Sequence, residues 1–318
     1  MNHKNYFEIH DHKLYRYISD TGEANITIPY GVISIEAEAF RNHKSLKKIF
    51  IPDTVITIEN NAFEKCGSLR ELIIPASIKK IGNKAFQHCN NLKTLIFLDI
   101  PHYNFWYGEG KHKICVEDFA FFYCDHLKEL HFSKTAEIMI RKAAFCDCIE
   151  LRELILPAGV TEIGEDAFRS CGLETVTFSG AMPQYYDPTG FKGCTQLQKV
   201  IFSNLDFPVQ NQDKWRLYRS LNQIVFCADA AQKAFADPES DSAKAFFHSE
   251  LKKYFHMLMN AGHTAVISEI LQNQIIPQEI IEQVIRYAIE QKNYEVQVLL
   301  MNYQYQHNLF QDIKKKFE

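Results

Sequence analysis

Nine cysteines are the residues of this 318-residue chain with the strongest potential for metal or redox chemistry. Six of them recur three residues after a phenylalanine: Cys66, Cys89, Cys124, Cys148, Cys171 and Cys194. A zinc site needs four ligands that converge on one point, usually from C-x-x-C pairs, and a line of single thiols does not converge. The odd total also argues against a full disulfide framework. We therefore expect small, buried, reduced side chains, with no metal and no cofactor.

Glu129, His131 and Glu153 are the residues that could perform acid–base chemistry, because they occupy neighbouring positions of successive sequence repeats. Glutamate at this repeat position also occurs in ordinary copies, however. The motifs G-x-S-x-G, H-E-x-x-H and G-x-G-x-x-G and the P-loop are all missing from the sequence. The sequence therefore predicts a protein without enzymatic activity.

An aromatic insertion interrupts the repeats between Cys89 and Cys124, which lie 35 residues apart instead of the usual 23. Such insertions project as loops from one face of a repeat protein, often the binding face. The rings could pack against the repeats, or they could be offered to a partner, for example by stacking on a sugar. The inserted aromatic residues are Tyr103, Phe105, Trp106 and Tyr107.

The repeated unit itself is 23 residues long, and two consecutive copies read IPDTVITIENNAFEKCGSLRELI and IPASIKKIGNKAFQHCNNLKTLI. A period of 20 to 29 residues with L-x-x-L-x-I is typical of a leucine-rich solenoid. The alternation of a strand points Leu69, Leu72 and Ile74 inward and Glu71 and Ile73 outward. We expect an α/β fold in which a right-handed solenoid, with a parallel concave sheet and short convex strands and turns, is followed by a small all-α domain.

Three segments are predicted along the chain. Residues 1–27 form an N-terminal capping hairpin, because the first coil would otherwise expose an apolar face and a free sheet edge. Residues 28–235 form about seven repeats and one irregular last coil. Residues 236–318 change to helical apolar spacing, and GHTAVISEIL and KNYEVQVLLM, 30 residues apart, resemble the second helix of degenerate ankyrin repeats.

Two columns of residues are predicted on the outer side of the concave sheet. One is largely apolar and contains Phe50, Ile73, Ile96, His131, Ile155, Thr177 and Ile201. Its neighbour carries mixed charge and includes Glu71, Glu129 and Glu153. Branched residues suit any pleated strand, but an apolar row rimmed by charge is also typical of a groove that binds a protein or peptide.

The unit, with its I-P start, A-F-x-x-C centre and L-x-x-L-x-I end, resembles the BspA-type leucine-rich repeats of bacteria over residues 28–226. That resemblance implies a surface or binding protein of the kind found in host-associated bacteria and some protists. We therefore expect a protein or peptide partner on the concave face, with glycan binding or host adhesion through the aromatic insertion as the alternative.

Composition and charge limit the remaining choices. The formal net charge is −4, and lysine and arginine are spread through the repeats, so a nucleic-acid partner is not expected. No run of 18 apolar residues is present, so membrane insertion is not expected. The N-terminal residues lack a secretory signal. This favours the cytoplasm, or the cell surface or exterior if a leader has been removed.

Overall fold

The computed structural model describes residues 6–19, 22–100, 112–180, 183–187, 189–202, 205–208, 251–260, 262–273, 276 and 278–307. The chain divides near residue 204 into two compact units, a repeat unit and a helical unit. The domain limits predicted at residues 27 and 235 stay predictions.

The repeat unit is built from short strands, most of them two to four residues long. In chain order they are β1 Tyr6–His10, β2 Lys13–Ile18, β3 Asn25–Thr27, β4 Ser34–Ile35, β5 Lys48–Phe50, β6 Thr57–Ile58, β7 Glu71–Ile74, β8 Lys80–Ile81, β9 Thr94–Phe97, β10 Lys113–Val116, β11 Glu129–His131, β12 Glu137–Ile140, β13 Glu153–Leu156, β14 Val160–Ile163, β15 Thr175–Phe178, β16 Tyr185–Tyr186 and β17 Lys199–Phe202. A further strand, β18 Leu205–Pro208, belongs to the other unit.

Two strands per coil give two parallel walls. The back sheet has nine strands in the order β1-β2-β4-β6-β8-β10-β12-β14-β16. The opposite wall runs β3-β5-β7-β9-β11 and continues as a separate sheet through β13, β15 and β17. This second wall is the one predicted to be concave, and its outward side is called the front face below. The leucine-rich solenoid predicted from the period is confirmed.

A stack of phenyl rings fills the space between the walls. Seven phenylalanines, one per coil, contribute to it: Phe40, Phe63, Phe86, Phe121, Phe145, Phe168 and Phe191. Neighbouring ring centroids lie 4.8 to 5.3 Å apart, and the ring planes differ by 8° or less. A buried phenylalanine and its aromatic pairs are among the largest single contributions to a core. The repeated Phe therefore packs at the same spacing as the coils and forms a continuous aromatic core along the repeat unit.

An N-terminal hairpin lies against the first coil. Strand β1 pairs antiparallel with β2, and β2 pairs parallel with β4. Tyr17 of β2 lies on the first ring of the stack, Phe40, at a centroid distance of 5.5 Å. The hairpin thus covers both the sheet edge and the end of the phenyl stack.

The helical unit contains four described helices, α1 Leu251–Asn260, α2 Thr264–Asn273, α3 Gln278–Glu290 and α4 Tyr294–Gln306. Helix α1 contacts α2 and α3, and α4 contacts α2 and α3, so two helix pairs stack on each other. The turn before α4 follows from the sequence, because Lys292 has a positive φ of 55° and the side chain of Asn293 accepts a hydrogen bond from the Val296 amide as an N-cap.

Candidate interaction face

The apolar column lies on the outward side of the front strands, where the sequence placed it. The relative exposures are 60% for Phe50, 38% for Ile73 and 56% for Ile155, and Ile96 is half-buried. Backbone pairing holds the column in register, since Ile73 lies opposite Ile96 and Ile155 lies opposite Thr177. The front face therefore presents large apolar side chains on a rigid hydrogen-bonded support.

The neighbouring charged column forms contacts between coils. The Lys48 ammonium lies 3.7 Å from a Glu71 carboxylate oxygen, and the Thr94 hydroxyl donates a hydrogen bond to Glu129 at 3.1 Å. These contacts are exposed, so each contributes little to stability.

The suggested acid–base group is not assembled in the described part of the chain. His131 is exposed, and no hydrogen bond or ion pair joins it to Glu129 or Glu153 there. A break in the wall separates Glu153 from Glu129 and His131, because β13 and β11 belong to different hydrogen-bonded sheets. The structure places these three residues near each other on the front face without the contacts that proton transfer requires.

A row of basic residues borders the front face, and sequence reasoning missed it. In five consecutive coils, the exposed residue immediately before the front strand is a cation: Lys47, Arg70, Lys93, Lys128 and Arg152. The first four are joined by backbone hydrogen bonds, in which each amide donates to the carbonyl of the preceding cation, at nitrogen-to-oxygen distances of 3.1, 2.8 and 2.9 Å. The row, called the leading edge below, would have been visible in the sequence if the copies had been aligned column by column.

Stacking like charges on adjacent rungs is unfavourable for the free protein. Two unit charges about 5 Å apart in water repel by about 0.8 kcal/mol, or less where flexible side chains spread. Lys128 and Arg152 have acidic neighbours, with Glu150 3.2 Å from Lys128 and Glu174 3.7 Å from Arg152. For Lys47, Arg70 and Lys93, no ion pair is formed with any residue that the structure describes.

The cysteine column is buried, and its thiols are hydrogen-bonded to the backbone of the neighbouring coil. Each of the six thiols is buried and donates a hydrogen bond to the carbonyl of the phenylalanine one coil earlier, at sulfur-to-oxygen distances of 3.1 to 3.6 Å. Burial raises the pKa of Cys66 to about 12 and that of Cys89 well above its ordinary value. Within the described ranges, no three His, Cys, Asp or Glu side chains are arranged to hold a metal ion.

These repeats also match a known family. The profile of the BspA-type leucine-rich repeat region matches residues 16–105 and 115–236, in six copies. The chain belongs to the BspA-type leucine-rich repeat family. The resemblance seen in the I-P, A-F-x-x-C and L-x-x-L-x-I elements is thereby confirmed.

Several solved bacterial leucine-rich repeat proteins are similar to this BspA-type chain. A leucine-rich cell surface protein from Faecalibacterium prausnitzii is 23% identical, covering 61% of this chain and 62% of that one, with a TM-score of 0.27. A leucine-rich repeat protein from Eubacterium ventriosum is 28% identical, covering 51% and 46%, with a TM-score of 0.37. The T. pallidum leucine-rich repeat protein is 21% identical, covering 63% and 79%, with a TM-score of 0.37.

The chain thus spans about three fifths of the first of these proteins and under half of the second. The comparison with curated proteins gave no match. Among the described residues of the BspA-type chain, no helix is long and apolar enough to cross a membrane.

The aromatic insertion predicted as a second site, with Tyr103, Phe105, Trp106 and Tyr107, lies outside the described residues. Glycan binding through these rings stays a prediction.

A different aromatic group projects from the turn of the same BspA-type coil. Phe122 packs edge-on against Phe119 at 5.5 Å and against Tyr123 at 4.5 Å, and His88 stacks on Tyr123 at 5.2 Å. Phe119 and Tyr123 have positive φ values of 60° and 58°, a conformation that is unusual for bulky residues. The same positive φ recurs at these two turn positions in other coils, where the residues are smaller or polar, such as Asn61, Lys65, Ala143 and Asp147.

Proposed function

We propose that this chain is a non-enzymatic interaction scaffold whose front face binds a protein or peptide. The observation that carries the proposal is the exposed apolar column on a rigid sheet, in which Phe50 and Ile155 leave more than half of their surface in water. Exposed apolar side chains in a connected row are typical of interaction surfaces. Membership of the BspA-type family supports the same function, because repeat proteins of this kind present extended binding surfaces.

The support is pre-organised for binding. Within each of the two front sheets, the strands beneath the column are fixed in register by backbone hydrogen bonds, and the side chains below them, such as Leu72 and Leu95, are fully buried. A partner would therefore not have to order the backbone of this face, which lowers the entropic cost of association.

The test is a peptide-display selection on the full chain and on two variants. The front variant carries Phe50→Ser, Ile73→Ser and Ile155→Ser. The control variant carries substitutions at apolar side chains exposed elsewhere, Tyr15→Ser, Tyr30→Ser and Ile33→Ser, whose exposures are 44%, 81% and 43%. Both variants should retain the circular dichroism spectrum of the native chain.

The proposal predicts peptides that are enriched on the native chain and on the control but lost on the front variant. Equal enrichment on the front variant, or no enrichment on a folded native chain, would overturn it.

A further inference from the structure

The leading edge has a defined spacing that a partner must match. Its five cations sit on coils whose phenyl rungs are 4.8, 4.8, 5.0 and 5.1 Å apart. The row therefore extends about 20 Å across the coils, since the phenyl rings mark the distance between successive coils. The row ends at both sides, because Ala24 is hydrogen-bonded to Lys47 at one end and Glu174 is hydrogen-bonded to Arg152 at the other.

The apolar column runs parallel to this row on the same wall. Within one coil the two are three residues apart, as in Lys47 and Phe50. At about 3.3 Å per residue, the separation is about 10 Å. A partner that uses both must present negative charge and apolar side chains along parallel lines about this far apart.

An α-helix lying across the coils satisfies both spacings. It places side chains on one stripe every turn, or about 5.4 Å, and its diameter with side chains is about 10–12 Å. Over the four intervals of the leading edge, the difference between 5.4 Å and the coil spacing accumulates to only about 2 Å. An extended strand repeats its same-side residues every 6.6 Å or so and would lose register within two or three coils.

A uniformly charged polymer fits less well. Three front-face carboxylates, Glu71, Glu129 and Glu153, lie between the basic row and the apolar column. They would repel a continuous polyanion such as a nucleic acid or a sulfated glycan, and such polymers do not offer apolar side chains to the column.

We propose that the front face takes an acidic amphipathic helix of about 13–14 residues that runs across the coils. Its acidic stripe faces Lys47, Arg70, Lys93, Lys128 and Arg152, and its apolar stripe lies on Phe50, Ile73, Ile96 and Ile155. This inference rests on the proposed function and names the chemical class of the partner.

The probe is a helix-stabilised synthetic peptide of about 14 residues, with leucines along one stripe and glutamates along the neighbouring stripe. Binding to the full chain is measured by fluorescence anisotropy at low and high salt. Three comparison probes are used: the same peptide with lysine in place of glutamate, a strand-forming peptide of the same composition, and polyglutamate.

The protein variant carries Lys47→Gln, Arg70→Gln and Lys93→Gln, which removes the three cations without described ion pairs. The control of equal charge carries Lys13→Gln, Lys79→Gln and Lys113→Gln, three exposed lysines that lie on or beside back-sheet strands. Of these, Lys113 forms an ion pair with Glu137 at 3.3 Å. The two variants have the same net charge, so a difference between them reports the position of the cations.

The acidic helical peptide is expected to bind the native chain and the control with similar affinity. Its dissociation constant for the leading-edge variant should be at least about 10-fold higher, since several exposed ion pairs are lost together. Its affinity should fall with added salt, and the lysine peptide should not bind.

Equal binding of the lysine peptide, tighter binding of the strand-forming peptide, or polyglutamate binding as strongly as the helix would each overturn the inference. If peptides selected on the front face bind equally well to the leading-edge variant, the inference fails and the proposed function stands. If the selection itself finds no front-face peptide, both fail.

Discussion

Replacing Phe86 with alanine is expected to be one of the most destabilising single changes in the repeat unit. Its ring is fully buried and lies between Phe63 at 4.8 Å and Phe121 at 5.0 Å. Truncating a buried phenylalanine costs about 3–5 kcal/mol, and each lost aromatic pair adds about 0.5–1.5 kcal/mol to the loss from area alone. With two pairs lost, we expect a value at the upper end, about 5 kcal/mol.

The end of the stack provides the matched comparison. Among the residues that the structure describes, Phe191 has one phenylalanine neighbour, Phe168 at 5.3 Å, and Tyr186 at the longer distance of 6.3 Å. Phe191→Ala should therefore cost about 1 kcal/mol less than Phe86→Ala. The free energy of unfolding is measured by urea titration of the full chain, following the repeat unit by its β-sheet circular dichroism. Equal costs at the two positions, or a cost below about 2 kcal/mol at Phe86, would refute the idea that the ring stack holds the coils together.

Three further predictions concern thiols, close backbone contacts and pH. Brief alkylation at pH 8 should modify the half-buried Cys115 before the fully buried Cys66. Burial raises the pKa of both thiols, to about 12 for Cys66, but Cys115 is also reachable from solvent. Equal alkylation rates measured by mass spectrometry would contradict this. Gly159→Ala should lower the free energy of unfolding by about 1–3 kcal/mol, since the added methyl group would meet the Ala136 carbonyl. Gly67→Ala places its methyl group in open space and should be nearly neutral. Thermal unfolding of the two variants measures the difference. Burial lowers the pKa of His256 to about 4, so the unfolded chain binds more protons than the folded one below about pH 6.5. The helical unit should therefore lose stability as the pH falls from about 6.5 to 4. A melting temperature that stays constant over this pH range would contradict the prediction.

The fold could be predicted from the sequence because every level of the repeat gives the same answer. Leu72 and Ile74 alternate with outward residues, and Phe86 and Cys89 fall in the same slots as their counterparts in other coils. The structure adds the reason for the cysteine slot. A thiol is small enough for the interior and donates a hydrogen bond to a carbonyl of the preceding coil, which alanine cannot do.

The candidate site was only partly predictable. The apolar column was found because strand alternation marks Phe50 and Ile73 as outward. The leading edge was missed because lysine and arginine look evenly distributed along the chain unless the copies are aligned column by column; the backbone hydrogen bonds then show that Lys47, Arg70 and Lys93 stack. The break between β11 and β13 could not be predicted either, since the motif residues continue through it.

The most direct test of the central claim is a methyl NMR titration of the full chain with the acidic helical peptide, using isoleucine labelling and assignment by substitution. We expect the methyl resonances of Ile73, Ile96 and Ile155 to shift together, and those of Ile58 and Ile81, which are buried on the inner side of the back sheet, to stay unchanged. Shifts confined to isoleucines away from the front face, such as Ile33 or Ile289, would show that the peptide binds elsewhere and would contradict the assignment of the front face as the interaction surface.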